Sequence, residues 1–290
     1  MPAGMNILQR LFWKNKRHVF ENVAGYSIVT TRCDEAWIGR PGGRPVYAHI
    51  HRPVSPGRYP GVIFVPGGGS TGTDYDGNTE VTADDVAALG FTVLHYDPQG
   101  RGKTGGEENF WGALHQKELA HVVHFFSTRS SVDIDHIGIL SFSIGIAIAA
   151  GALARFDLPV RYLFDWEGPS NRFNITKNDT HKPLMGFPTS NDLFWNEREP
   201  SRFMSDIPCG YFRYQGEEDH MQGAYKGHAV ELINLATGGK AAWTKCNDNP
   251  LNTLFYEGKM GEYSWVPRQS NQKSRILDYL LAVQTLCTRS

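Results

Sequence analysis

One serine in this chain stands in a pattern that is typical of an enzyme nucleophile. Ser143 follows a short apolar segment, 137–141 (IGILS), and precedes a run of small residues, IAIAAGALA. This order predicts a strand, a sharp turn and a helix, with the serine at the bend. Such a bend lifts the hydroxyl above a sheet, and the helix N-terminus adds N–H groups and positive potential. A serine that merely caps the helix is the alternative interpretation.

The motif departs from the usual Gly-x-Ser-x-Gly at one position. Ser141 stands where the first glycine is expected, whereas Gly145 supplies the second. Because serine is also small, we expect it to fit where the turn crowds the helix. A neutral serine is a poor nucleophile without a neighbouring base, so the chemistry needs further residues from elsewhere in the chain.

The composition excludes several other kinds of function. Among 290 residues, 29 Lys and Arg balance 30 Asp and Glu, which argues against a nucleic-acid or anionic-membrane partner. Apolar residues make up 40% of the chain, but no apolar run reaches the ~20 residues that span a bilayer. The N-terminus lacks the apolar stretch of a secretory signal. We therefore expect a soluble, cytoplasmic globular protein.

The sequence predicts neither a metal nor another cofactor. The four cysteines have no metal-ligand spacing, and no nucleotide or flavin motif is present. His49 and His51 share one face of a predicted strand, a spacing that suits a metal ion. Since the sequence offers no third ligand beside them, we interpret this face as solvated, like the helix face that carries His121 and His124. His95, inside another strand, is interpreted as structural.

The serine turn belongs to a regular alternation of strands and helices. The predicted strands are 26–34, 45–52, 61–65, 91–96, 137–141, 160–165, 211–214 and 241–246, and the predicted helices are 80–89, 111–128, the small-residue run after Gly145, 224–235 and 274–286. This order predicts a mostly parallel α/β sheet with right-handed crossovers. Ligands of such sheets bind at the carboxyl edge of the strands, where the serine turn lies.

The chain is predicted to hold a single folded domain. Residues 1–24 form an N-terminal segment, and residues 25–290 form the domain. Within it, residues 168–206 lack clear periodicity but are rich in aromatic side chains, which predicts a cap-like insertion after the sixth strand. Its aromatic residues either line a substrate pocket or pack the insertion down.

The order of these motifs resembles the α/β-hydrolase superfamily, in particular its dienelactone-hydrolase and acyl-peptidase-like esterases. The resemblance covers roughly residues 25–290. It includes the early hairpin, a glycine-rich turn at 66–69 and an Asp-x-x-Gly-x-Gly loop at 97–102. It implies the α/β-hydrolase fold, with an eight-stranded, mostly parallel sheet flanked by helices. It also implies an oxyanion hole formed by the backbone N–H of Ile144 and that of Gly68 or Gly69.

The resemblance further implies a catalytic acid. Family members carry it after the seventh strand in a Gly-x-x-Asp turn, and residues 216–219 match that turn. Asp219 is therefore the predicted acid. Asp165, at the end of the sixth strand, is a reserve acid because some members of this fold carry theirs there, and Glu167 is a weaker reserve.

The base is where the sequence departs from the family. Its histidine follows the eighth strand, but this sequence has no histidine after His228. His220 is the preferred substitute because it lies next to Asp219, at the carboxyl edge of the predicted sheet. His115, His181 and His228 remain alternatives.

These features lead to one preferred function and two alternatives. The preferred function is a serine hydrolase that cleaves a small-molecule carboxylic ester through an acyl-enzyme on Ser143. The missing late histidine favours instead a catalytically silent fold used for binding, and the family resemblance also allows an acyl-peptidase-like amide hydrolase. The sequence leaves open the oligomeric state, for which a homodimer is one option, and whether Arg101 contacts substrate or pins its own loop.

Overall fold

The computed structural model describes residues 29–79, 81–175, 187–216, 227–238 and 261–266, together with helical residues 276–277, 280–281 and 283–284. In chain order the strands are β1 (Thr31–Ile38), β2 (Val46–Pro53), β3 (Tyr59–Val65), β4 (Thr92–Tyr96), β5 (Val132–Phe142), β6 (Tyr162–Trp166), β7 (Gly210–Gly216) and β8 (Gly261–Val266). They form one sheet in the order β1-β2-β4-β3-β5-β6-β7-β8. The pairs β1–β2 and β2–β4 are antiparallel, and the remaining neighbours are parallel. The predicted eight-stranded, mostly parallel sheet is thus confirmed.

Helices lie on both faces of this sheet. The α-helices are α1 (Ala83–Ala88), α2 (Ala113–Ser127), α3 (Gly145–Arg155), α4 (Arg172–Ile175), α5 (Asp192–Trp195) and α6 (Gly227–Thr237), with two 3₁₀ helices at Gly72–Asp76 and Pro200–Arg202. Apolar residues of α2, α3 and α6 pack on one face. Those of α1 pack on the other, together with Ile276, Leu277, Leu280, Leu281 and Val283. No described helix is long and apolar enough to cross a membrane.

The small side chains of α3 let this helix approach the sheet closely. Its residues from Gly145 to Leu153 are all buried. A Cβ at Gly145 would lie 2.8 Å from the carbonyl oxygen of Val65 and 2.9 Å from that of Pro66. Only glycine fits at that point, so the second glycine of the serine motif brings the start of α3 against the end of β3.

One sequence-based assignment changes in the structure. The predicted last strand, 241–246, lies outside the described residues, and the strand that pairs with β7 is β8, at 261–266. The division into residues 1–24 and 25–290 is not tested and stays a prediction.

The interpretation of His49 and His51 as a solvated sheet face is wrong. The 3₁₀ helix Gly72–Asp76 contacts β2 and β4 on this face, and its first residue lies so close to the backbone of Tyr96 that a Cβ there would overlap it. As a result His51 is only 5% exposed.

Candidate active site

Ser143 occupies the bend between β5 and α3. Its φ of 53° lies in the left-handed region, which is strained for a residue with a side chain. Its N–H donates to the carbonyl of Trp166 at 2.9 Å, which ties the bend to the end of β6. The N-cap of α3 is Ile144, and no side chain caps it there. The backbone N-cap position thus belongs to Ile144, one residue after Ser143.

The glycine turn 66–69 lies directly against this bend. A Cβ at Gly67 would lie 2.5 Å from the carbonyl oxygen of Phe142 and 2.9 Å from the Cβ of Ser143. The next two glycines have open space where a Cβ would stand, and Gly68 has a left-handed φ of 44°. One side of the turn thus touches the serine while the other is open.

The predicted oxyanion donors both belong to backbone that adjoins Ser143. Ile144 lies at the N-cap of α3, where backbone N–H groups have no acceptor within the helix and carry the positive end of its dipole. Gly68 and Gly69 belong to the turn that contacts the serine. N–H groups in such positions suit an anionic oxygen.

Trp111 holds the glycine turn in place, a role that the sequence did not indicate. Its indole Nε1–H donates to the carbonyl of Gly68 at 2.9 Å, and the residue is buried with a left-handed φ of 65°. No motif surrounds it in the sequence. The contact fixes the orientation of the peptide between Gly68 and Gly69, whose N–H is one of the predicted donors.

For the ester hydrolysis that the family resemblance implies, we expect Trp111→Phe to lower kcat about tenfold and leave KM little changed, because the turn loses its hydrogen bond and the predicted oxyanion donor loses its alignment. Initial rates of p-nitrophenyl ester hydrolysis measure both constants. Trp37→Phe, which alters a half-exposed tryptophan on β1, is the matched control. An unchanged kcat in Trp111→Phe would show that this bond does not position the turn.

The aspartate of the Asp-x-x-Gly-x-Gly loop joins this loop to a neighbouring segment by hydrogen bonds. The carboxylate of Asp97 accepts the backbone N–H of Lys103 at 2.8 Å and that of Thr73 at 3.3 Å. Gly102 lies so close to this carboxylate that any Cβ would collide with it. The loop after β4 is therefore bound to the segment that follows the glycine turn.

Arg101 pins its own loop, which was one of its two predicted roles. Its guanidinium pairs with the Glu108 carboxylate at 2.7 Å and donates to the carbonyl of Ser70 at 3.2 Å. It also lies over the ring of Trp111, with 5.7 Å between the guanidinium carbon and the ring centroid. These contacts hold the Arg101 side chain against Ser70, which follows the glycine turn, and against Trp111, which bonds to that turn.

The described part of the insertion packs down beside Trp111. Arg198 donates to the carbonyls of Asn109 and Phe110, each at 2.9 Å, and its guanidinium lies 4.0 Å from the ring centroid of Phe194. Phe194 stacks on Phe187 with a centroid separation of 3.7 Å. These aromatic residues therefore anchor the insertion to the loop that carries Trp111.

The reserve acid Asp165 has structural partners. Its fully buried carboxylate accepts the Tyr211 hydroxyl at 2.6 Å and the Gly168 N–H at 2.9 Å, and it pairs with the buried guanidinium of Arg213. Burial raises the pKa of Asp165, and the charge of Arg213 opposes that rise. Within the described residues, no histidine hydrogen-bonds to it.

Glu167 lies closer to the serine turn along the backbone. It follows Trp166, whose carbonyl accepts the Ser143 N–H, and it is buried with a left-handed φ of 53°. Its own N–H donates to the carbonyl of Tyr214 at 3.0 Å. The weaker reserve acid thus stands at the carboxyl edge of the sheet, next to the bend.

His115 is held as a neutral imidazole by hydrogen bonds at both ring nitrogens. The Trp111 N–H donates to Nδ1 at 3.2 Å, so Nε2 carries the proton and donates to the carbonyl of Gln99 at 2.8 Å. Burial lowers the pKa of His115 to about 4. A ring with both nitrogens engaged cannot accept a proton from Ser143.

The lowered pKa of His115 predicts a loss of stability in acid. The unfolded chain takes up the proton near pH 6.5, and the folded protein only near pH 4. The contribution of His115 to the free energy of unfolding is therefore fully present above pH 6.5 and decreases as the pH falls from 6.5 to 4. We expect the loss to reach about 3 kcal/mol at pH 4. In urea titrations from pH 7 to 4, His115→Gln should remove most of this slope, and His124→Gln, on the same helix, should keep it. Equal slopes in the two variants would contradict the assignment.

Comparison with known proteins identifies the architecture. No protein-family model and no curated protein sequence matches the chain. Solved structures do. A puromycin-hydrolyzing peptidase of Mycobacterium tuberculosis superposes with a TM-score of 0.64 at 17% identity, over 87% of this chain and 38% of that one. The acylaminoacyl peptidase of Pyrococcus horikoshii gives 0.63 at 12% identity, over 90% of this chain and 43% of that one.

A Klebsiella pneumoniae protein classed as a dienelactone hydrolase gives a TM-score of 0.59 at 12% identity, over 88% of this chain and 98% of that one. This chain has the α/β-hydrolase fold. It spans less than half the length of the two peptidases but nearly the whole of the third structure. The predicted resemblance to α/β-hydrolases is thereby confirmed as a matter of fold.

The remaining acid and base candidates fall on other parts of the chain. Asp219 and His220, directly after β7, lie outside the described residues, as does His181. Their roles remain predictions. His228 is fully buried in the first turn of α6. The residues after β8, where α/β-hydrolases of the resembled branch carry their histidine, contain none.

Proposed function

We propose that this protein is a serine hydrolase that cleaves a carboxylic ester through an acyl-enzyme on Ser143. The observation that carries the proposal is the left-handed Ser143 at the strand–helix bend, with the glycine turn against its Cβ. A strained serine between two sets of backbone N–H groups suits attack on a carbonyl carbon and stabilisation of the resulting oxyanion.

The reaction then proceeds in two halves. The Ser143 hydroxyl attacks the ester carbonyl while a base takes its proton, and the oxyanion is held by the N–H of Ile144 and that of Gly68 or Gly69. Collapse of the tetrahedral intermediate expels the alcohol, which takes up the proton from the base. Water then attacks the acyl-enzyme by the same route and releases the acid.

In this proposal Asp219 and His220 supply the acid and the base. Both follow β7 closely in the sequence, and the carboxyl end of β7 lies at the same edge of the parallel sheet as the Ser143 bend, which supports this assignment. Asp165 is engaged with Arg213, and His115 has both nitrogens occupied. These contacts favour the pair after β7 over Asp165 and His115.

An amide hydrolase is the second candidate, because two structures of similar fold are peptidases. Initial rates on p-nitrophenyl acetate, an aryl lactone and an aminoacyl p-nitroanilide separate the two. The proposal expects turnover of the ester with a pre-steady-state burst of p-nitrophenol and little turnover of the anilide. Faster anilide hydrolysis would favour the peptidase. No turnover of any of the three by folded protein would favour a silent fold.

A further inference from the structure

A cluster of metal-binding side chains lies on the face of β1, β2 and β4 that the 3₁₀ helix Gly72–Asp76 covers. Cys33, His49, His51 and Asp76 each offer one ligand atom, and these four atoms all lie within 4.8 Å of one another. We propose that these four residues bind one divalent transition-metal ion of the zinc class.

The strand register brings the donors together. Cys33 on β1 is directly opposite His51 on β2, and His49 on β2 is directly opposite His95 on β4. Directly opposed side chains of antiparallel strands have Cβ atoms about 5 Å apart and project from the same face. Asp76, the last residue of the 3₁₀ helix, completes the set from above the sheet. This is the third ligand that the sequence did not reveal beside the histidine pair.

The distances suit a tetrahedral ion. Nδ1 of His49 and Nε2 of His51 each lie 2.9 Å from an oxygen of Asp76. Zinc bonds of 2.0–2.3 Å place tetrahedral ligand atoms about 3.3–3.8 Å apart, so the four donors need to move by only about 1 Å. A thiol, two imidazoles and a carboxylate form a mixed donor set that binds zinc-class ions in preference to Mg²⁺ or Ca²⁺.

Surrounding groups orient the donors for an ion. Tyr47 places its hydroxyl 2.6 Å from Nε2 of His49 and itself accepts the ammonium of Lys103 at 2.7 Å. The Tyr47 oxygen can therefore accept the Nε2 proton of His49, which leaves the Nδ1 lone pair facing Asp76. On the far side of His51, a carboxylate oxygen of Asp84 lies 3.6 Å from Nδ1. A partner such as Tyr47 fixes the tautomer of a ligating histidine, whereas Asp84 places a negative charge near His51.

His95 is a positioning residue in this site. It is fully buried, and its Nε2 lies 2.8 Å from Oδ1 of Asp76. A hydrogen bond from Nε2 to Oδ1 leaves Oδ2 of Asp76, which faces His49, for the ion. The ion would join the hairpin β1–β2 to the segment that directly follows the glycine turn, so its main effect is on stability.

The test uses the full-length protein, stripped with EDTA and desalted. Titration with Zn²⁺ against a chromophoric chelator should show one equivalent per chain, and saturating zinc should raise the melting temperature by about 5 °C or more. Co²⁺ should give the intense visible bands of tetrahedral coordination and a thiolate charge-transfer band. Uptake well below one equivalent, or octahedral cobalt bands alone, would overturn the proposal.

Variants assign the binding to these residues. Cys33 is exposed, so Cys33→Ser is expected to fold, lose the charge-transfer band and bind at least tenfold more weakly. His51→Gln should bind at least tenfold more weakly as well. The control is His136→Gln, which removes a histidine from a separate surface pair with Asp133 and should bind like the wild type. Wild-type affinity in Cys33→Ser and His51→Gln would place the ion elsewhere and refute the site.

Discussion

Ser143→Ala is expected to lower kcat for ester hydrolysis by about 10⁴-fold or more, equivalent to about 5 kcal/mol of transition-state stabilisation. The variant keeps the oxyanion donors but has no atom that can form the acyl-enzyme. Steady-state rates on p-nitrophenyl acetate, corrected for the uncatalysed reaction, measure the loss. Because alanine at a left-handed φ is no more strained than serine, the fold should survive.

Ser141→Ala is the matched control for this prediction. Ser141 is also buried and lies two residues before Ser143, but its hydroxyl forms no hydrogen bond within the part of the chain that the structure describes. Its removal should leave kcat within about twofold, because a hydroxyl without a hydrogen bond holds no neighbouring group of the turn in place. Equal loss in both variants would mean that the turn is sensitive to any change, and an active Ser143→Ala would contradict the mechanism.

Arg213→Met is expected to destabilise the protein by about 3–5 kcal/mol, because it leaves the Asp165 carboxylate buried without its counter-charge. Arg213 and Asp165 face each other on the paired strands β7 and β6, and both are fully buried. Urea unfolding at pH 7 measures the loss. The deficit should shrink toward pH 5, since an isolated buried carboxyl has a raised pKa and is stable in its protonated form.

The double variant Asp165→Asn with Arg213→Met tests whether the unpaired charge of Asp165 causes this destabilisation. A neutral amide retains the shape of Asp165 and can still accept the Tyr211 hydroxyl, so the double variant should be more stable than Arg213→Met alone. If the double variant is instead the less stable of the two, the cost lies in packing around Arg213 and not in the unpaired charge.

Local sequence patterns predicted the elements of this fold well where hydrophobicity and turn residues agree. The segment IGILS, the serine turn and the small-residue helix correspond to β5, the bend and α3. The glycine turn 66–69 and the Asp97–Gly102 loop could be recognised because each requires glycine against neighbouring backbone or a carboxylate. The predicted last strand, 241–246, lies outside the described residues, and the eighth strand of the sheet is 261–266, since the order of elements fixes the number of strands but not the position of the last one.

What the sequence could not show depends on contacts between distant segments. Trp111 reaches Gly68 across 43 positions in the chain, and Asp76 reaches His95 across 19. Neither pair has a periodicity or motif that would reveal it. The structural role of Asp165 likewise depends on Arg213, 48 positions away. Sequence patterns locate the ends of strands, but the partners that meet there are set by the packing of the whole sheet.

Reaction with a fluorophosphonate tests the central claim most directly. The reagent phosphonylates a serine only where the hydroxyl is activated and the developing negative charge is stabilised. We predict one adduct per chain, mapped to Ser143 by peptide mass spectrometry, and none in Ser143→Ala. Folded wild-type protein that stays unmodified, or that carries the adduct on another serine, would contradict a nucleophile at this bend.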